Sequence, residues 1–310
     1  MSDYSHLISE QLFIDGWVDG TSGRTATTVN PFNDEPIATI RQASRADVDK
    51  AYDVAKQRQT AWAELPPKDR AAVMNKAADF IEENFDAVVA LIQAESASTI
   101  AKASIETGLA LGSLREAAQF PTRIRGSIHP SDTPGKTNYI FREPLGVVGV
   151  ISPWNFPFAL SMRSVAPALA CGNAVVLKPA SDTPLVGGLL LGRIFEAAGL
   201  PEGVLNIVVG AGSEIGDHFV EHEVPSLISF TGSTPVGQNV GVKAVGGKRM
   251  KKVALELGGN APLVILDDAD MDQAVGAATL GKFLHQGQIC MAINRIIVQA
   301  EVYDEFVEKF

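Results

Sequence analysis

Cys290 closes the segment GKFLHQGQIC and is one of only two cysteines in 310 residues. Cysteine is most often a small buried apolar residue. Cys171, at the end of the apolar run ALAC, fits that use. Cys290 fits it less well, because its neighbours HQGQICMAINR are polar and nearby glycines would let the backbone present the thiol. A thiol that attacks carbon must first become a thiolate, so a base and an acceptor for developing negative charge should accompany it. Glu256, in VALELGGNAP, ends an apolar run just before two glycines. A carboxylate there is expected to be partly desolvated and so a better base, although for an arbitrary glutamate a strand-end position facing water is the commoner reading. Asn155, in ISPWNFPF, could donate its amide N–H to an oxyanion or satisfy the backbone of its own turn.

Two glycine-bearing turns could meet a phosphate. VLNIVVGAGSEIG runs from a strand pattern through Gly210, Gly212 and Gly216 into a helical pattern. Its G-x-G-x-x-x-G spacing departs from the dinucleotide fingerprint, and no acidic residue ends the next strand, so the signal is weak. In LISFTGSTPVG, Gly232 and Gly237 bracket Ser233 and Thr234 at a second strand–turn–helix junction. Glycine permits close backbone approach, and a helix N-terminus offers unpaired N–H groups. Ordinary structural turns explain both segments equally well. His218 and His222 stand four apart with Glu221 and Glu223 beside them, but no third ligand cluster accompanies them, so a solvated helix face is expected rather than a metal site. No G-x-S-x-G elbow is present, which leaves a serine hydrolase unsupported.

The elements that would carry these residues alternate. Residues 11–40 read as short strands and turns, and the stretch from Ser44 to about Gly126 reads as helical. Ser44 is a candidate N-cap with Asp47 three residues on, and PPKDRAAV begins with proline where its missing N–H costs nothing. After Lys136, the apolar runs GVVGVIS, NAVVLKP, VLNIVV, LISF, KVALEL and LVILDD alternate with helical patterns. That alternation predicts an α/β fold with a parallel sheet covered on both faces, which binds ligands at the carboxyl ends of its strands. A net charge of −10 argues against a nucleic-acid partner. No apolar run approaches the roughly 18 residues of a membrane span, and no secretory leader is visible. With so few cysteines, a reducing cytoplasm is the expected location.

Taken together, PWNFP (153–157), VVLKPAS (175–181), FTGSTPVG (230–237), LELGGNAP (255–262) and GQIC (287–290) resemble the NAD(P)-dependent aldehyde dehydrogenase superfamily in order and spacing. The flanking text resembles its bacterial benzaldehyde/vanillin dehydrogenase branch. The resemblance implies that Cys290 is the nucleophile, Glu256 the general base and Asn155 an oxyanion donor beside the Cys290 backbone N–H. The thiolate would add to an aldehyde, hydride would leave for the nicotinamide, and water activated by Glu256 would release the acid from a thioester. It implies NAD or NADP contacts at Ile151, Ser152, Pro153, Trp154, Asn155, Lys178, Ser181, Gly210, Phe230, Thr231, Gly232, Ser233, Val236, Glu256, Leu257 and Gly258. Family members with glutamate at the position of Ser181 tend to repel a 2′-phosphate, so serine here would tolerate NADP without excluding NAD. Phe156, Phe158 and Leu160 look like substrate-tunnel lining. Arg163, one turn on, could meet a ring hydroxyl or an aromatic face, or lie on the surface.

The expected fold is a modified Rossmann-type cofactor domain (1–122 and 144–257), a hairpin oligomerisation arm (123–143) and the beginning of an α/β catalytic domain (258–310). The family's chains continue well beyond this one, so a partial gene product is expected, with a dimer or tetramer for the complete form. The alternatives are a semialdehyde dehydrogenase and a non-catalytic nucleotide-binding fragment.

Overall fold

The computed structural model describes residues 3–310. Strands β1 (Leu12–Phe13) and β2 (Trp17–Val18) form a tight hairpin, and β3 (Thr25–Val29) and β4 (Pro36–Arg41) form a second. Helix α1 (Arg45–Glu64) starts at the expected capping box: the Asp47 N–H donates to Ser44 Oγ at 3.3 Å, and the Ser44 N–H donates to Asp47 Oδ2 at 2.8 Å. The long helical pattern after Pro66 breaks into α2 (Pro67–Glu83) and α3 (Phe85–Ser96). The break falls at Asn84, whose backbone N–H at 3.1 Å and side-chain amide at 2.9 Å both donate to the Phe80 carbonyl. Helices α4 (Ile100–Ala117) and α5 (Phe120–Arg123) follow. Strands β5 (Ser127–Pro130) and β6 (Thr137–Ile140) then pair as a separate antiparallel hairpin whose residues are all exposed.

The alternating half of the chain is laid out as β7 (Val147–Ile151), α6 (Pro157–Ala170), β8 (Ala174–Lys178), α7 (Leu190–Ala197), β9 (Leu205–Ile207), α8 (Asp217–Glu221), β10 (Leu227–Thr231), α9 (Thr234–Gly246) and β11 (Lys252–Glu256). The five strands run parallel in the order β11-β10-β7-β8-β9, and β1 and β2 extend the β9 edge antiparallel. Every residue of β8 is buried, which is why it reads as an unbroken apolar run. Gly149 in β7 answers to close packing: a Cβ there would lie 2.7 Å from the Tyr52 hydroxyl of α1. The glycine-rich helical patterns are looser than expected, since Leu185–Leu189 and Gly212–Gly216 are π-helical turns ahead of α7 and α8.

The chain continues through β12 (Ala261–Ile265), α10 (Met271–Phe283), β13 (Ile293–Val298) and α11 (Tyr303–Lys309). β12 and β13 pair in parallel and bury their own small core of Ile265, Met271, Ala278 and Phe306, separate from the main core. Among the described residues no helix is long and apolar enough to cross a membrane.

Candidate active site

The parallel strands end side by side. Ile151 pairs with Lys178 and with Phe230, and Thr231 pairs with Glu256, so the sequence motifs fall along one edge of the sheet. Open α/β sheets bind ligands there. A groove of about 640 Å³ follows that edge, lined by Ile151, Ser152, Pro153, Trp154, Asn155, Phe230, Thr231, Gly232, Ser233, Val236, Leu257 and Gly258, with Ala180 and the 287–290 loop completing it. Helix α9 points its N-terminus into this region. Its N-cap Ser233 makes no side-chain capping bond, so the first-turn amides are left for an anion. A groove on the strand ends with an uncapped helix start fits a dinucleotide.

A second cavity of about 380 Å³ adjoins the groove. Its wall is mainly apolar: Ile105 and Leu109 from α4, Phe156, Ala159 and Leu160 from the start of α6, and Leu284, Ile289 and Met291. Arg163, Glu256 and Ser113 are its polar groups besides Asn155, Thr231 and Cys290. The two cavities share Asn155, Leu160, Thr231, Leu257, Ile289 and Cys290. Cys290, an exposed free thiol, therefore stands at their junction.

Backbone constraints bring it there. His285, Gln286 and Gly287 all have left-handed φ, at 50°, 55° and 75°. Only the glycine was legible as a turn residue; for the other two this conformation is unusual. Gly259 is the second device. A Cβ on it would lie 2.1 Å from the Cys290 carbonyl oxygen, so the β11–β12 turn packs directly against the cysteine backbone. Asn155 is the third. Its Oδ1 accepts the Phe156 N–H at 2.9 Å, and its Nδ2 donates to the Gln288 carbonyl at 2.7 Å. The amide thus serves its own turn and ties that turn to the cysteine loop, with one N–H still available.

Several expectations need correction. Phe158 does not line the pocket; it is fully buried in the main core. Helical spacing explains this, since Phe156, Ala159, Leu160 and Arg163 share one face while Phe158 and Met162 share the core face. The desolvation expected for Glu256 does not occur: its residue is exposed, because β11 is an edge strand of the sheet. Gly210 lies outside both cavity walls and packs against Ile215, where a Cβ would come within 2.8 Å of Cδ1. Lys178 is buried, its Nζ donating to the Pro179 carbonyl at 3.2 Å, and burial lowers its pKa to about 8 against the opposing pull of Asp182. Ser181 is exposed on the loop that follows. Neither lines the groove, which the 178–181 segment reaches through Ala180. His218 and His222 both face Asp49. Ile105, Leu109 and Ser113 were missed by sequence reading. Their spacing of four on α4 marks one helix face, but nothing local told that face what it would meet.

The family model described as "Aldehyde dehydrogenase family" matches residues 17–310. The chain is 59% identical over 305 residues to a vanillin dehydrogenase of Corynebacterium glutamicum, covering 98% of this chain and 62% of that protein. It is 49% identical over 311 residues to a benzaldehyde dehydrogenase of Bacillus subtilis, covering 100% of this chain and 63% of that one. The crystal structure of an NAD-dependent benzaldehyde dehydrogenase from C. glutamicum superposes with a TM-score of 0.94 at 59% identity, over 98% of this chain and 66% of that chain. The chain thus spans a little under two thirds of the length of these curated relatives. A groove suited to a dinucleotide, meeting an apolar pocket at a cysteine, agrees with that likeness along nearly the whole sequence: this chain belongs to the aldehyde dehydrogenase family.

Proposed function

We propose that the protein oxidises an aromatic aldehyde to its carboxylic acid with NAD or NADP, and that Cys290 is the nucleophile. The observation that carries this reading is the position of Cys290 in the wall common to the groove and the apolar pocket. Relatives named for vanillin and benzaldehyde support the substrate class, and the lining of Phe156, Leu160, Ile105, Leu109 and Met291 suits a ring.

A bound nicotinamide dinucleotide would supply the hydride acceptor. Residues lining the groove, with the uncapped start of α9, would hold it, and the 178–181 segment would meet it through Ala180. Cys290 would add its sulfur to the carbonyl carbon. The free N–H of Asn155 and the Cys290 backbone N–H would stabilise the resulting oxyanion. Glu256, facing the pocket from the end of β11, would take a proton from the water that cleaves the thioester. Because Gly259 touches the Cys290 carbonyl, Gly259→Ala is expected to shift the nucleophile and lower kcat by about 100-fold. Steady-state rates beside the melting temperature check this, and an unchanged kcat would count against the assignment.

Arg163 supports a finer reading. It lines the pocket and, among the described residues, makes no ion pair. A guanidinium there would meet a ring hydroxyl, so Arg163→Ala is expected to raise KM for hydroxylated benzaldehydes about tenfold while leaving KM for hexanal alone. Equal changes for both substrates would remove the idea. The same cation favours the second reading, a semialdehyde whose carboxylate pairs with Arg163. A panel of benzaldehyde, vanillin, hexanal and succinic semialdehyde separates the two, and dinucleotide binding without turnover would indicate a non-catalytic fragment.

We also infer a division into a cofactor domain (1–122 and 144–257), an arm (123–143) and part of a catalytic domain (258–310). Two separate hydrophobic cores support the last boundary. The arm exposes Ile128, Tyr139, Ile140 and Phe141, which supports its use in a dimer or tetramer. Two free thiols agree with a cytoplasmic location.

A further inference from the structure

A buried ionic pair behind the pocket takes no part in the steps above. Lys102 and Glu106 lie one turn apart on α4 with both side chains 0% exposed, and Lys102 Nζ donates to Glu106 Oε2. Burying two charges is costly unless each is fully engaged. The other Glu106 oxygen is engaged at α6. That helix starts at Pro157 with Phe156 as N-cap, which has no side-chain acceptor. Glu106 Oε1 instead accepts the N–H groups of Phe158 at 2.8 Å and Ala159 at 3.2 Å. A carboxylate from α4 therefore caps α6 immediately behind Asn155 and Phe156.

The ammonium has a second contact. Lys102 Nζ lies 4.4 Å from the centroid of the Phe156 ring, a cation–π contact in a dry site. Phe156 in turn meets the His285 ring edge-on, with centroids 5.8 Å apart, and Trp154 lies 6.1 Å from the same imidazole. His285 is 1% exposed, and neither ring nitrogen has a hydrogen-bond partner among the described residues. Its left-handed backbone needs its surroundings to hold it. The 154–156 turn presents only aromatic rings to it, and α4 presents Lys102, already engaged with Glu106.

We propose that Lys102, Glu106 and His285 are positioning residues for Cys290, a buried stack that seats Phe156 and locks the strained turn carrying the nucleophile. This rests on the reading of Cys290 as nucleophile. The stack works with a neutral imidazole: burial, then the Lys102 charge, lowers the His285 pKa to about 4. A proton gained there would stand beside an ammonium and push the turn away.

Hydrogen exchange of the full chain, followed in a peptide spanning 284–292 against one spanning the central strand 174–178, tests this without turnover. In the double variant Lys102→Met/Glu106→Gln, the amide oxygen of the new side chain can still cap α6 and no buried charge is stranded. Exchange at 284–292 is expected to accelerate at least about tenfold at neutral pH with the central strand unchanged; wild-type protection of the turn would overturn the proposal. Should that variant not fold, His285→Asn decides. Asparagine tolerates the left-handed backbone and cannot gain the proton. Wild type is expected to lose turn protection, corrected for intrinsic exchange, between about pH 6 and pH 4, while His285→Asn stays flat. A flat wild type, or the same loss in both, refutes it. A chain that shows these effects but oxidises no aldehyde would refute the proposed function alone.

Discussion

Serine in place of Cys290 is expected to lower aldehyde-dependent NAD(P)H formation by about a thousandfold or more. Sulfur is the stronger nucleophile, because a thiol reaches its anion near neutral pH and an alcohol does not. The proposed reaction relies on that anion twice, as the nucleophile that forms the adduct and as the leaving group when water cleaves the thioester. Dinucleotide affinity is expected to change little, since Cys290 contributes only one edge of a groove lined mostly by the strand ends. The measurement is initial rates with benzaldehyde and vanillin for both proteins, together with dinucleotide titration. A serine variant that turns over at the wild-type rate would sink the covalent mechanism. One that loses dinucleotide binding in parallel would place the cysteine's role in the fold.

The second large effect concerns stability and centres on Glu95, which no motif marked. Glu95 is 1% exposed in α3. Its carboxyl oxygens accept the N–H groups of Leu185 at 2.9 Å and Val186 at 2.7 Å, and the Thr28 hydroxyl at 3.3 Å. It therefore caps the π-helical turn before α7. Removing it in Glu95→Ala takes the acceptor from three buried donors and opens a void, at an expected cost of about 3–5 kcal/mol. The pH dependence follows from burial, which raises the Glu95 pKa from 4.5 to about 8 while its three hydrogen bonds oppose the shift. Between those values the folded chain holds a proton that the unfolded chain has released. The associated stabilisation is full below about pH 4.5 and is lost as pH rises to about 8. The loss is a few kcal/mol, at about 1.4 kcal/mol per pH unit. Glu95→Gln keeps an acceptor and cannot titrate, so its urea-unfolding free energy is expected to vary less across this window. Identical pH slopes for the two proteins would show that Glu95 does not titrate there.

Much of the fold was legible because its determinants are local. The capping box at Ser44 and Asp47 involves groups three residues apart, and both were readable in order. The central strands β7, β8 and β9 announced themselves as short apolar runs, since burial on both faces removes the polar alternation. The nucleophile candidate was legible by contrast with Cys171: one thiol in a polar, glycine-punctuated segment, the other closing an apolar helix. Orientation was less legible. Phe156 and Phe158 look alike in NFPF, yet one lines the pocket and the other is core, because Phe156 precedes α6 as its N-cap while helical spacing turns Phe158 to the core face.

By itself, then, the sequence determined the α/β alternation, the residues that end each strand and the family to which their motifs point. Those properties rest on hydrophobic period and turn chemistry, which act over a few residues. Only the tertiary structure decided that Gly259 lies against the Cys290 carbonyl, that Asn155 ties its turn to Gln288, and that Lys102, Glu106 and His285 meet around Phe156. Glu106 and Phe158 are 52 residues apart, and Asn155 and Gln288 are 133 apart. Contacts across such separations leave no local signature: each partner is an ordinary residue in its own segment, and its role exists only once the core has brought the segments together.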